Sequence, residues 1–248
     1  MTVVLKLGGS VVTEKDEPEP VDTSRLGSAA DAVAESDADL VVVHGGGSFG
    51  HHHAAEYGVS TTDGTHDPAG VGAIHGAMKR LNDAVVAALT ERGVPAVPVH
   101  PFSAASRDAE GQLTLPTAQV RTLLGEGFVP VLHGDLVAHE GEGATVLSGD
   151  ELVVELAPAV DADRVGVCST VPGVLDGDGE VVDRIDAFED VAAALGDSES
   201  TDVSGGMAGK VRALLALSSP AHVFGPDALG EFLAGESPGT TVGGSDTR

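Results

Sequence analysis

The sequence is poor in three things: cysteine, basic residues and long apolar runs. Its single cysteine, Cys168, rules out a disulfide within the chain and suits a reducing compartment such as the cytoplasm. No apolar run approaches the ~20 residues needed to span a bilayer. The N-terminus passes straight into a strand-like Val-Val-Leu-Lys-Leu segment without a basic or cleavable leader, so a soluble cytoplasmic protein is expected. Thirteen Lys and Arg stand against thirty-nine Asp and Glu, a formal net charge of −26. Nucleic acid and anionic membranes are therefore poor partners, and an acidic surface adapted to high salt is expected. Only four lysines occur, Lys6, Lys15, Lys79 and Lys210, and three of them lie in or beside glycine-containing turns. In a chain that avoids lysine on its surface, those three mark places where positive charge is needed. Lys79, next to Met78 on a long helical stripe, reads as a surface charge.

What is present is a regular alternation of strands and helices over 248 residues. Residues 2–7, 40–43, 94–99, 128–133, 164–168, 222–224 and 240–242 read as strands. Helices are predicted over 22–36, with Asp22 or Thr23 as N-cap, and over 70–92, 117–124, 186–195 and 205–217. Asp108–Leu115 reads as a short hairpin around Gly111, and residues 14–20 and 198–204 as polar loops. Ser148-Gly149-Asp150-Glu151 has capping-box spacing ahead of an apolar run to Ala157. This pattern predicts an α/β fold, a three-layer α/β/α sandwich with a mostly parallel central sheet.

The central stretch is Val41-Val42-Val43-His44-Gly45-Gly46-Gly47-Ser48-Phe49-Gly50-His51. A buried strand stops at three glycines, and the residues after them can open a helix. Such a turn lets bare N–H groups approach an anion, and the helix N-terminus adds a favourable dipole. Three motif templates overlap here. Gly45-x-Gly47-x-x-Gly50 matches the dinucleotide fingerprint, but Asp63 and Asp67, at the required spacing, have no strand before them. Gly46-x-Ser48-x-Gly50 matches a nucleophile elbow, with Asp202 and His222 as the available triad partners, yet leaves Lys6, Lys15 and Lys210 unexplained. His51-His52-His53 invites a metal, but neighbours on one helix point about 100° apart and no zinc-like carboxylate spacing accompanies them. Gly205–Lys210 is too short for a P-loop, and Val211 stands where Ser or Thr is needed.

The pieces have an order of their own: Lys6-Leu7-Gly8-Gly9-Ser10, then Lys15, the glycine triplet with His51, Leu147-Ser148-Gly149-Asp150, and Gly205-Gly206-Met207-Ala208-Gly209-Lys210. This series resembles the amino acid kinase superfamily over nearly the whole chain. The histidine after Ser-Phe-Gly makes it most similar to the isopentenyl phosphate kinase family. Carbamate, acetylglutamate and uridylate kinases share the glycine turns, but that histidine is not expected in them.

The resemblance implies ATP-dependent phosphorylation of isopentenyl phosphate to isopentenyl diphosphate, with Mg²⁺, by a homodimer. It implies one domain, with residues up to about 157 on the acceptor side and the remainder on the nucleotide side. Lys6, Gly8, Gly9 and Ser10 would hold the ATP β- and γ-phosphates, and Lys15 would stabilise the transferring group. Gly46 and Gly47 would lie between acceptor and donor, and His51 would hydrogen-bond the acceptor phosphate. Gly149 and Asp150 would be acceptor-side residues, and Gly206 and Lys210 the nucleotide-side pair. Ile74 and Met78 are candidates for an apolar tail pocket, although core packing explains both. The alternatives are a related kinase with another small phosphate, phosphonate or carboxylate acceptor, or a nucleotide-binding regulator without turnover. One departure keeps the latter open: where the family has Thr-Asp-Val-Asp-Gly-Val-Tyr, this chain has Ser169-Thr170-Val171-Pro172-Gly173-Val174-Leu175, without either acid or the tyrosine. Ser204, where threonine is frequent, is a milder change.

Overall fold

A computed structural model describes residues 1–14, 19–195 and 206–244. The first strands and helices are β1 (Thr2–Leu7), α1 (Gly9–Val12), α2 (Thr23–Ala34), β2 (Asp39–His44), α3 (Gly47–Glu56), α4 (Pro68–Thr90) and β3 (Ala96–Pro98). The middle of the chain forms β4 (Ser106–Arg107), β5 (Leu113–Thr114), α5 (Ala118–Gly125), β6 (Val129–His133), β7 (Asp135–His139), β8 (Gly143–Leu147) and α6 (Gly149–Ala159). The last third forms β9 (Arg164–Cys168), β10 (Arg184–Ile185), α7 (Ala192–Leu195), α8 (Gly206–Leu215), β11 (Ala221–Phe224), α9 (Leu229–Leu233) and β12 (Thr240–Val242).

Eight strands form one sheet in the order β10-β12-β11-β9-β1-β2-β6-β3, parallel except where β11 meets β12. The central strands are near-continuous Val/Leu runs because both faces are covered. Val3, Leu5, Leu7, Leu40 and Val42 pack on one side with residues of α2, α4 and α9. Val4, Val41, Val43, Val165 and Val167 pack on the other with residues of α6 and α8. This is the expected three-layer α/β/α sandwich, and its sheet unites strands from both halves of the chain. Strand alternation then decides where the polar strand ends face. Lys6 shares the Val4 face, toward α6, whereas His44 shares the Leu40–Val42 face, toward α4.

The parallel strands end on one edge, where a stitch of backbone hydrogen bonds links each post-strand residue to its neighbour. Gly8 N–H donates to Cys168 O (2.8 Å), Gly45 N–H to Leu7 O (2.9 Å), Gly134 N–H to His44 O (2.9 Å) and Ser169 N–H to Phe224 O (2.8 Å). Open α/β sheets bind ligands outside this edge.

Besides the short β10 and α9, which fall where no element is assigned above, two segments depart from the sequence reading. Residues 186–195 form no continuous helix: Ala187 is extended, and the Asp190 carboxylate accepts its N–H at 3.0 Å, so only a 3₁₀ turn (Phe188–Asp190) and the short α7 result. The Asp side chain competes there with the helical backbone acceptor. Residues 135–147, to which no element is assigned above, form the antiparallel pair β7–β8, turned around Gly141 and Gly143 at positive φ. With β4 and β5 they make a second, four-stranded sheet beside the cavity.

Candidate active site

One cavity of about 320 Å³ lies at the strand-end edge and collects most of the candidate residues. Its lining includes Lys6, Gly8, Gly9 and Ser10 after β1, Gly45, Gly46, Gly47 and His51 after β2, Gly149 and Asp150 of α6, and Gly206 and Lys210 of α8. Helices α3, α6 and α8 each begin with a glycine on this wall, Gly47, Gly149 and Gly206. Three helix N-termini, with their positive dipole ends, therefore face one volume. His51 is exposed, at the cavity rim. Lys15 lies outside the described residues, as do Ser204, Gly205 and Asp202.

Asp150, expected on the acceptor side, sits between two lysines. Its carboxylate lies 2.6 Å from Lys6 Nζ and accepts from Lys210 Nζ at 3.0 and 2.9 Å. All three side chains are largely enclosed, exposed by 8% for Lys6, 13% for Asp150 and 15% for Lys210. Burial lowers the Lys6 pKa from 10.5 to about 8 against the pull of Asp150, and neighbouring Lys210 lowers it further. For Asp150, burial would raise the pKa, but attraction to Lys6 and Lys210 outweighs it and holds the carboxyl at about 2. One carboxylate thus holds two cations side by side, and both contact the cavity. The α6 terminus that carries Asp150 is itself fixed: the Ser148–Glu151 capping box is complete, and Arg107 binds Glu151 at 2.6 Å.

The two glycine turns pack backbone against backbone. A Cβ on Gly9 would fall 2.2 Å from Gly47 N and 2.5 Å from Gly47 Cα, and one on Gly45 would fall 2.6 Å from Gly9 N. Gly47 adopts φ +50°, where a Cβ would meet Thr13 Oγ1 at 2.1 Å. Buried Thr13 joins the same turns, its hydroxyl donating to Gly9 O (2.9 Å) and accepting from Ser48 N–H (3.1 Å). Thr13 carries no motif that could have revealed this role.

Part of the cavity wall is apolar, formed by Ala54, Ile74, Met78, Val146 and Leu147. Ile74 and Met78 are core residues, 2% and 1% exposed, that also border the cavity, so both readings of them hold together. Asp135 borders this region too, fully buried and bonded to His75 Nδ1 at 2.9 Å. Burial raises its pKa, and His75 opposes the rise. Neither residue belongs to a recognisable motif; the signal is the topology that brings α4 against β7.

The nucleophile-elbow reading finds no geometry among the described residues. Ser48 Oγ is buried without a partner among the described residues, and His222 packs in β11 against Arg164 and Phe232. No nucleophile–histidine pair results. Among the described residues, His52, His53 and Glu56 do bring ligand-type atoms within 4.8 Å of one another, but His53 Nε2 is held by Glu19 at 2.7 Å. The altered segment 169–175 is tied in place: Val174 is buried, its N–H donates to Thr240 Oγ1 at 2.8 Å, and Ser169 and Thr170 reach the cavity.

Comparison with known proteins agrees with this geometry. The amino acid kinase family matches residues 1–224. Isopentenyl phosphate kinase of Haloferax volcanii is 67% identical over 98% of each chain. Isopentenyl phosphate kinase of Methanothermobacter thermautotrophicus is 35% identical, over 87% of this chain and 86% of its own. An X-ray structure of isopentenyl phosphate kinase superposes with a TM-score of 0.83 at 29% identity, covering 98% of this chain and all of its own. The chain belongs to the amino acid kinase family and, within it, to the isopentenyl phosphate kinases.

Proposed function

We propose that this chain transfers the γ-phosphoryl group of ATP to isopentenyl phosphate, giving isopentenyl diphosphate and ADP for isoprenoid biosynthesis. The observation that carries this reading is a single cavity whose wall combines two carboxylate-held lysines and three helix N-termini with an apolar patch. A phosphate monoester with a short hydrocarbon tail matches both kinds of wall. An oxygen of the acceptor phosphate, already ionised, attacks the γ-phosphorus, and the bond to the β–γ bridging oxygen breaks. No general base is required, so positioning and charge stabilisation supply the rate.

Lys6, Gly8, Gly9, Ser10, Gly47, Gly206 and Lys210 hold the nucleotide phosphates, with Asp150 aligning the two lysines. Gly46, Gly149 and His51 receive the acceptor phosphate, and Lys15 meets the transferring group. Residues up to about 157 then make the acceptor side of one domain and the remainder the nucleotide side. The two cavity carboxylates, Asp135 and Asp150, are engaged by His75 and by the lysines. Mg²⁺ would therefore be held by nucleotide phosphates and water, where it offsets phosphate charge. A homodimer in the cytoplasm, working at high salt, completes the reading. No helix of the described residues is long and apolar enough to cross a membrane.

The test is ADP release from Mg-ATP in molar KCl with a panel of small phosphates, phosphonates and carboxylates. Isopentenyl phosphate should be the preferred acceptor; release with a different acceptor, or none with any, refutes the assignment. His51→Ala should raise the acceptor KM roughly 10- to 100-fold, the worth of a charge-assisted hydrogen bond, and leave the ATP KM unchanged. A collapse of ATP affinity instead would move His51 to the donor side.

A further inference from the structure

Two adjacent strands of the central sheet, β2 and β6, both end in His-Gly and stand in register. Leu7 pairs with His44, and His44 with His133, so the two imidazoles lie side by side at the cavity edge of the sheet. Their rings stack at 5.6 Å, both wholly buried. Each ring binds the carbonyl of the glycine that follows it: His44 Nδ1 to Gly45 O at 3.1 Å and His133 Nδ1 to Gly134 O at 2.9 Å. A carbonyl can only accept, so in both rings Nδ1 carries the proton.

The other nitrogen of each ring fits a neutral, Nδ1-protonated state. His133 Nε2 lies 2.8 Å from His100 Nδ1, which can donate to it. His44 Nε2 lies 3.1 Å from the side-chain amide of buried Asn82 on α4. With Oδ1 toward the ring, Asn82 leaves its Nδ2 buried and unpartnered among the described residues. Turning the amide half a revolution lets Nδ2 donate to Nε2 and satisfies both groups. Burial also pushes the His44 pKa down to about 4 and that of His133 well below its usual value, which keeps both rings uncharged at neutral pH.

In a planar trans peptide the C=O and the next N–H point to opposite sides. Holding the Gly45 carbonyl toward α4 therefore turns the Gly46 N–H away from α4. That amide, on the cavity wall, takes no acceptor among the described residues. Gly134 lies against the same spot, since a Cβ there would be 3.7 Å from Gly46 N and 3.5 Å from Gly149 N. A glycine peptide is otherwise free to rotate, so a cradle made of glycine needs something outside it to fix its direction. We propose that His44 and His133 are positioning residues: paired neutral imidazoles that clamp the Gly45 and Gly134 peptide planes and so aim the Gly46 N–H at the phosphate acceptor. This rests on the kinase reading for the identity of the anion.

Asparagine places an amide N–H where imidazole has Nδ1; glutamine places one where it has Nε2. His44→Asn keeps the link to the Gly45 carbonyl and loses Asn82, whereas His44→Gln does the reverse. The Asn variant should keep kcat/KM for isopentenyl phosphate within about threefold of the parent, and the Gln variant should lose 30-fold or more, at similar melting temperatures. Equal losses in the two, or losses that follow melting temperature alone, overturn the clamp. Two-bond ¹H–¹⁵N spectra of ¹⁵N-histidine-labelled parent protein provide a readout that needs no turnover, and so separate failure of the clamp from failure of the kinase reading. Nδ1–H tautomers at His44 and His133 at pH 7 are expected; Nε2–H or doubly protonated rings overturn the proposal.

Discussion

Asp150→Asn should destabilise the protein by about 3–5 kcal/mol, the usual cost of removing one partner from a buried ion pair. The asparagine preserves shape, so the loss reports charge. Without the carboxylate, the Lys6 and Lys210 ammoniums, both within 3 Å of its oxygens, face each other with no counter-charge. Turnover should fall roughly 100- to 1,000-fold, because preorganised charge is what phosphoryl transfer requires of the protein. Nucleotide affinity should suffer much less, since a triphosphate supplies the missing negative charge. The discriminating measurement is thermal unfolding with and without ATP, which should raise the melting temperature of the variant more than that of the parent. A variant as stable and active as the parent would remove Asp150 from the centre of the site. In the parent, the Lys6 and Lys210 ammoniums hold the carboxyl pKa at about 2, below its ordinary value of 3.8. Its contribution is therefore complete above the unfolded value and is lost as pH falls through about 2.

Gly9→Ala is the second substitution with a large expected effect. The new methyl would sit 2.2 Å from the Gly47 backbone nitrogen, and no rotamer change can relieve a backbone–backbone clash. Either turn must move, and both carry phosphate-binding amides in the proposed mechanism. Overpacking of this kind costs roughly 1–3 kcal/mol, and a displacement of about 1 Å between donor and acceptor costs about 100-fold in rate. The melting temperature should drop by roughly 2–12 °C for a chain of this size. Gly72→Ala is the control: this exposed glycine in α4 has nothing within 4 Å of a Cβ, and alanine there should be neutral or stabilise by up to about 1 kcal/mol. If Gly9→Ala is as harmless as Gly72→Ala, the two turns are not mechanically joined.

Much of this was legible in the chain itself, for identifiable reasons. Buried parallel strands announce themselves as Val/Leu runs, and glycines at their ends mark the turns, so the fold and the cavity walls could be read directly. Lysine scarcity singled out Lys6 and Lys210, which meet across Asp150. That meeting could not be read, because it depends on strand order: α6 follows the β7–β8 hairpin, and α8 arrives from a different part of the sheet. The segment at 186–195 failed for a local reason, an aspartate side chain bonding to the Ala187 N–H. Thr13, His75 and Asp135 were invisible for the opposite reason. Nothing in their neighbourhoods distinguishes them from ordinary core or loop residues until the sheet is assembled.

The strand-end stitch has one more consequence. The C-terminal edge of a parallel sheet presents carbonyl oxygens, whose lone pairs would repel a polyphosphate. Here the last carbonyls of β1, β2, β9 and β11 are turned sideways into hydrogen bonds from Gly45, Gly134, Gly8 and Ser169. The carbonyls of Gly45 and Gly134 are taken up in turn by His44 and His133. The carbonyls of the cavity floor are thus engaged by backbone N–H groups and imidazoles, which offsets part of their negative potential. A protein of formal charge −26 can offer two phosphates an electropositive surface with only a handful of lysines.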